Sequence, residues 1–328
     1  MFDTILNILF VVLGFSFLIF IHELGHYLAA RVTGVKVEEF GIGMPPRAWG
    51  KKIGDTIYSL NWLPIGGFVQ LKGQSDFDPK KDLEISDQPD SYTGKNPWQR
   101  LLIISAGVIF NFIAAIGIMM TAYMIGVTPM EGNQYYNQMI EEKDASIMVH
   151  QVIEGSLAED IGLISGDLIV SIDDIQVRDL ETYQQAIQDK SQFILDIKRG
   201  ESEDLIQITA TPDSTGKLGM MLVLGIELDK IQLGIVDAFI TSCQDAIHLV
   251  DRSIQGFVTL FNTLIESFAL PEGLSGPVGI VQMTSAAADA GWTEGLKFLA
   301  LISISLAVLN ALPFPALDGG RAFFLLIE

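Results

Sequence analysis

A chain of 328 residues would make about two soluble domains by length alone, but 49% of its residues are hydrophobic and 18% are charged, against about 25% in soluble proteins. Its mean hydropathy of +0.38 points to a membrane protein, and 20 Lys and Arg against 40 Asp and Glu exclude the basic footprint that a nucleic-acid partner needs. The single cysteine, Cys243, excludes an intramolecular disulfide, a zinc ribbon and a CxxC redox pair, so any metal site must use His and carboxylates.

The first element spans residues 1–30. Ile5 to Ile21 is an uncharged run of 17 residues, and apolar or small residues continue past His22 and Glu23 through Tyr27 to Ala30. At about 1.5 Å per residue, such a helix crosses an apolar layer of about 30 Å only if His22 and Glu23 lie inside it. A cleaved signal peptide is the rival reading, but Asp3 stands where a basic start belongs and the small-residue cleavage pattern is missing. Residues 31–100 follow as a loop region rich in turn residues. Within it Ile57 to Trp62 alternates apolar and polar side chains before Phe68, Val69 and Leu71, which predicts hairpin-like strands. Asp76 to Asp90 is polar and acidic and predicts a mobile loop.

Leu101 to Val127, 27 residues without an ionisable acid or base, predicts the second span. Between Ile147 and Asp213 the pattern predicts a compact α+β module of about 70 residues. MVHQVI, LIVSID, FILDIKR and LIQITATP read as strands and LETYQQAIQD as an amphipathic helix. With its flanks this module fills residues 128–230, and residues 231–294 read as one or two amphipathic helices at a membrane interface. Phe298 to Leu317, within residues 295–328, predicts a third span, and a fourth is expected to begin near Gly319 and to be incomplete in this sequence.

Charge assigns the sides. Arg31 to Arg100 holds 10 basic and 9 acidic residues, whereas Thr128 to Glu294 holds 8 and 27. The positive-inside tendency puts the first region in the cytoplasm and the acidic region outside. His22, Glu23, His26 and Asp318 then meet at one membrane level.

His22-Glu23-Leu24-Gly25-His26 is an HExxH sequence on a predicted helix. The i, i+4 spacing puts both imidazoles on one face, where they can share Zn²⁺, with Glu23 alongside as general base. Zinc lowers the pKa of a bound water from about 15.7 to about 7 and polarises a peptide carbonyl. Charged groups inside a span cost about 2.5 to 3.5 kcal/mol each on insertion scales, so their default reading is a functional site. The bland alternative is two neutral core histidines and a paired or protonated carboxylate. A third ligand is needed; His150 and His248 lie in extramembrane regions and read as surface or interface residues. Asp318 is the better candidate, in NALPFPALDGG, where two prolines break the helix and two glycines permit close backbone approach. The bland alternative is that Asp318 simply caps the helix that starts at Gly319.

Together these residues resemble the site-2 protease family of intramembrane zinc metalloproteases, in its bacterial regulator-of-sigma-E protease type. The resemblance covers nearly the whole chain: FIHELGHYLAARVTGVKVEEFGIGMPPR, YSLNWLPIGGFVQLKG, LSGPVGI at Leu274 to Ile280 and NALPFPALDGG. It implies that His22, His26 and Asp318 bind zinc, that Glu23 is the catalytic base and that Asn310 helps hold substrate or oxyanion. It also implies that Ile57 to Leu71 forms a membrane-reentrant hairpin whose edge pairs with unwound substrate, with Tyr58, Leu60, Gly66 and Gly67 as substrate contacts. SAGVIFNF is similar to the family's AGPxxNF signature with Val108 in place of proline. It keeps Asn111, as a substrate-binding residue or as a helix-packing hydrogen bond. VIEGSLAEDIGLISGDLIVSIDDIQV is similar to the family's PDZ domains, with Gly162, Leu163 and Gly166 as markers; there is one here, where some relatives carry two.

The expected protein is therefore a mainly α, polytopic membrane protein with three full spans and the start of a fourth, a membrane-associated β-hairpin region and one extracytoplasmic α+β PDZ domain. Its expected activity is zinc-dependent hydrolysis of peptide bonds inside single-span membrane proteins, such as anti-sigma factors, or remnant signal peptides, in a bacterial cytoplasmic membrane. The lipid bilayer is the expected surrounding. A non-catalytic membrane PDZ scaffold is the competing class.

Overall fold

The computed structural model describes residues 2–74, 88–142, 146–153, 155–188, 190–200, 204–212, 218–225, 228–267 and 276–327. The expected acidic loop at Asp76 to Asp90 and the Leu274 to Ile280 motif lie partly outside them. Internal packing divides the chain into two units, Met1–Val127 with Gln232–Glu328, and Thr128–Ile231.

The first unit begins with helix α1, Phe2–Thr33. It ends where Gly34, at φ 73°, reverses the backbone. The Gly34 N–H then donates to the Arg31 carbonyl at 3.2 Å and the Val35 N–H to the Ala30 carbonyl at 2.8 Å, a Schellman ending. Strands β1, Val37–Ile53, and β2, Thr56–Leu71, pair with one another. Each folds back, so the sheet has four rows. Residues 47–53 face 56–61, with Ile53 opposite Thr56 and Trp49 opposite Leu60; residues 37–42 face 67–71, with Val37 opposite Leu71 and Ile42 opposite Gly67. Glu39 to Ile42 also face Ile57 to Leu60, the numbers rising together.

The predicted hairpin within Ile57 to Leu71 is thereby corrected. Its two strand signals are not partners, because row 37–42 lies between them, and the row at 67–71 is left at an outer edge.

Helix α2, Pro97–Ile125, starts from a capping box in which the Asn96 side chain accepts from the Gln99 N–H at 2.9 Å. The second unit then runs through α3 (Gln134–Glu142), β3 (Ile147–Val152), α4 (Leu157–Asp160), β4 (Leu168–Ile172), β5 (Ile175–Gln176), α5 (Leu180–Ile187), β6 (Phe193–Lys198), β7 (Ile206–Ala210) and β8 (Met220–Leu224). Its antiparallel sheet has the order β7-β6-β4-β3-β8, with β5 on β4. Alternate residues of the strands, including Ile147, Val149, Ile169, Phe193, Leu195 and Ile197, fill one core with Tyr183 and Ala186 of α5. The four predicted strands and the helix are present. The module extends past its expected end at Asp213, because β8 completes the sheet beside β3.

Back in the first unit, the described residues after Gln232 include α6, Ile235–Ser267, and α7, Pro277–Ala290, followed after Gly291 by α8, Trp292–Ala311. The third span differs from its expected limits of Phe298 to Leu317. Leu312 turns extended (ψ 145°) in front of Pro313, as a residue before proline prefers, which ends α8 six residues early. At the other end Glu294 and Lys297 pair at 2.9 Å, so the helix carries both charges in its first turns. Helix α9, Asp318–Ile327, closes the chain. Leu9–Thr33, Pro97–Ile125 and Trp292–Ala311 are long and apolar enough to cross a membrane, and α1, α2 and α8 pack on one another.

Candidate metal centre

Three helix segments of the first unit bring the chemistry together. The i, i+4 spacing places His22 and His26 side by side on α1, with Nε2 atoms 3.1 Å apart. The broken segment after α8 delivers Asp318 to the same point. Its Oδ2 stands 3.0 Å from His22 Nε2 and 3.2 Å from His26 Nε2. Here the two glycines matter: a Cβ at Gly319 would run into the carbonyl of Ala311, and one at Gly320 into that of Phe314.

Asp318 therefore does more than begin α9; its carboxylate points at the histidine pair. Its Oδ2 is buried and faces the Nε2 atoms of both histidines, three donor atoms turned toward one point. That is the arrangement a cation relieves. Donor atoms on a tetrahedral zinc ion with bonds of about 2.0–2.2 Å stand about 3.3 Å apart, close to the spacing of these three. Among the described residues this is the one cluster of three His, Cys, Asp or Glu ligand atoms that converge, all within 4.8 Å.

Helix α2 forms the wall behind the cluster, and glycine lets it approach. A Cβ on Gly25 would meet the Ala106 carbonyl. One on Gly107 would collide with His26 Nε2 and come within 2.7 Å of His22 Cε1. His26 Nδ1 donates to the Ile103 carbonyl of α2 at 2.8 Å, which leaves Nε2 as the lone-pair nitrogen.

Glu23 sits between the histidines in sequence and reaches the sheet instead. The Val69 N–H, on the outer row of β2, donates to Glu23 Oε2 at 3.1 Å. A cavity of about 220 Å³ opens over His22, Glu23, His26 and Asp318, lined also by Phe68, Val69, Gln74, Ile103, Ile104 and Arg321.

The expected substrate contacts divide. Gly67 is beside Glu23, where a Cβ would come within 3.7 Å of Glu23 Cγ, and Gly66 adopts φ 84° next to it. Tyr58 does not line the cavity; its hydroxyl is 2.6 Å from that of Tyr27 and its ring meets Phe40 edge-on. Leu60 is half exposed and Asn310 is partly buried, and neither lines the cavity. Asn111 is 1% exposed and also lies outside it. Its side-chain amide instead lies 3.3 Å from His22 Nδ1. Sequence reasoning missed Gly107, Val69, Gln74 and Arg321. Only Arg321 carried a signal, standing three residues after Asp318, one helical turn along α9.

The profile of peptidase family M50 matches residues 10–328. The chain belongs to peptidase family M50. This is the site-2 protease family, and its HExxH and LDGG segments are the ones that converge here. Relatives match along nearly the full length. The chain is 36% identical over 98% of its length to a Clostridium perfringens protein named "Putative zinc metalloprotease", of which it covers 88%. A Campylobacter jejuni protein with the same designation is 32% identical over 98% of the chain and 84% of its own length. The Arabidopsis thaliana "Membrane metalloprotease ARASP, chloroplastic" is 29% identical over 95% of the chain and 68% of its own length. The M50 assignment makes the chain a peptidase.

Proposed function

We propose that this M50 peptidase is a multi-pass zinc metalloprotease of a bacterial cytoplasmic membrane. In this reading it hydrolyses peptide bonds within the apolar segments of single-span membrane proteins or remnant signal peptides. The observation that carries the reading is the convergence of His22 Nε2, His26 Nε2 and Asp318 Oδ2 among helices apolar enough to lie in a bilayer. The relatives' names supply zinc as the metal, and the donor set suits it. The second unit, with its sequence likeness to PDZ domains, stands outside the membrane and selects substrates by their ectodomains.

Bound zinc supplies Lewis acidity toward a peptide carbonyl and acidifies water. The residues of the chain do the rest. Glu23, steadied by the Val69 N–H, takes a proton from the attacking water and returns it to the leaving amine. The outer row at 67–71 offers backbone groups to an extended peptide, which adds as a further strand. Gly67 suits the close packing of this row, since a Cβ there would sit 3.0 Å from the Gly41 carbonyl.

The test is cleavage of tagged single-span peptides by the purified protein in detergent. Glu23→Gln should lower the rate by at least about 10²-fold, the usual contribution of a general base, and chelation should abolish it. Equal behaviour of wild type and Glu23→Gln would favour a membrane scaffold instead.

A further inference from the structure

A histidine that gives Nε2 to a metal must carry its proton on Nδ1, and whatever faces Nδ1 decides whether that tautomer is favoured. For His26 the partner is the Ile103 carbonyl, which can only accept. For His22 it is the side-chain amide of Asn111, on α2, 89 residues away in sequence and 3.3 Å from Nδ1.

The amide has two orientations related by a half-turn, and heavy-atom positions alone do not distinguish them. With Nδ2 toward the ring, the amide would force the proton onto His22 Nε2, the nitrogen that faces Asp318. That orientation also leaves Asn111 Oδ1 buried without a partner. With the amide turned, Oδ1 accepts from Nδ1–H and Nε2 is left unprotonated toward His26 and Asp318, while Nδ2 takes the buried place that Oδ1 leaves.

The backbone around Asn111 is fixed independently. Ser303 of α8, fully buried, donates from Oγ to the Asn111 carbonyl at 2.8 Å. Asn111 thus joins α2 and α8 at the rear of the His22 ring, on the side away from the cavity.

We infer that Asn111 is a positioning residue for the metal centre, which accepts the His22 Nδ1 proton through Oδ1 and so fixes the tautomer in which His22 Nε2 can bind zinc. The inference rests on the zinc reading above and goes beyond it by giving Asn111 a task that is neither substrate binding nor helix packing alone. Histidine ligands in metal sites are oriented by such outer partners, whose loss lowers metal affinity by about 10- to 100-fold.

The test is zinc affinity by chelator competition on the whole purified protein, with helix content followed by circular dichroism. Asn111→Asp keeps an acceptor of the same shape; Asn111→Leu keeps the volume and removes it. Asn111→Leu should bind zinc about 10- to 100-fold more weakly with unchanged helix content, and Asn111→Asp should bind within a few-fold of wild type. With Co²⁺ in place of zinc, Asn111→Leu should also shift the ligand-field absorption, which a packing defect away from the metal would leave alone. Zinc binding by Asn111→Leu within about twofold of wild type would overturn the inference while leaving the zinc site standing. So would an equal loss in both variants. Absence of saturable zinc binding in wild type, or its persistence in His22→Ala, would overturn the metal-site reading itself and this inference with it.

Discussion

At the scale of single residues, the metal centre depends as much on what is missing as on what is present. Gly107 has no side chain where any Cβ would strike the two imidazoles from the α2 side. Gly107→Ala should therefore lower zinc affinity at least about tenfold and destabilise the unit by about 1–3 kcal/mol, the usual cost of overpacking. Chelator competition and thermal unfolding of the whole protein check the two effects. An unchanged affinity would show that α2 can move away at little cost. The three side chains that converge were legible in the sequence, because HExxH encodes its own geometry through helical spacing and LDGG sits at a proline-broken helix end. Asn111 was only half legible. A polar amide in an apolar helix announces a partner, but the partner was 89 residues away, and no local pattern says which face of α2 meets α1.

At the scale of elements, helices were readable and strand pairing was not. Apolar runs marked α1, α2 and α8, whereas their ends followed local chemistry: the Schellman turn at Gly34, the capping box at Asn96 and the extended residue before Pro313. Alternation along Ile57 to Trp62 revealed a strand but carried nothing about its neighbours, so the intervening row 37–42 was missed. Strand β8 was missed for a related reason. MMLVL is continuously apolar, and its half-buried place at the sheet's edge follows from pairing with β3. In the proposed strand addition at the outer row 67–71, substrate must be unwound before it can pair there. Introducing Gly or Pro near the scissile bond of a helical substrate should raise kcat/KM, by about the 1 to 3 kcal/mol by which these residues weaken a helix; no gain, with binding unchanged, would argue against strand addition.

The second unit has its own electrostatic ties. The Asp167 carboxylate, fully buried, accepts from Arg199 Nε at 2.7 Å and from the Ile164 N–H at 2.9 Å. This contact raises the Arg199 pKa. Near the surface, Lys190 donates to Asp173 at 2.7 Å and, with the Ile194 N–H, holds that carboxyl below the ordinary carboxylate range. A carboxylate with a depressed folded pKa stabilises above its unfolded pKa of about 3.9, and the benefit disappears as pH falls through the folded value. Asp173→Asn should accordingly speed hydrogen exchange in β6 at pH 7, with the difference from wild type shrinking below about pH 4. A difference that persists at low pH would assign the effect to something other than the charge.

At the scale of the whole molecule, composition and charge located the chain in a membrane before any motif was considered. The division into two units follows the shift from long apolar runs to short alternating strands at Thr128 and back at Gln232. The central claim is that a peptidase centre placed among membrane-crossing helices cuts within apolar segments. Mass-spectrometric mapping of the bond cut in a single-span substrate, by the purified protein reconstituted in lipid vesicles, tests this most directly. The account predicts a cut inside the apolar segment, lost in Glu23→Gln and on chelation. A cut confined to the polar flanks, equally sensitive to both, would contradict it and mark a metalloprotease that works beside the membrane.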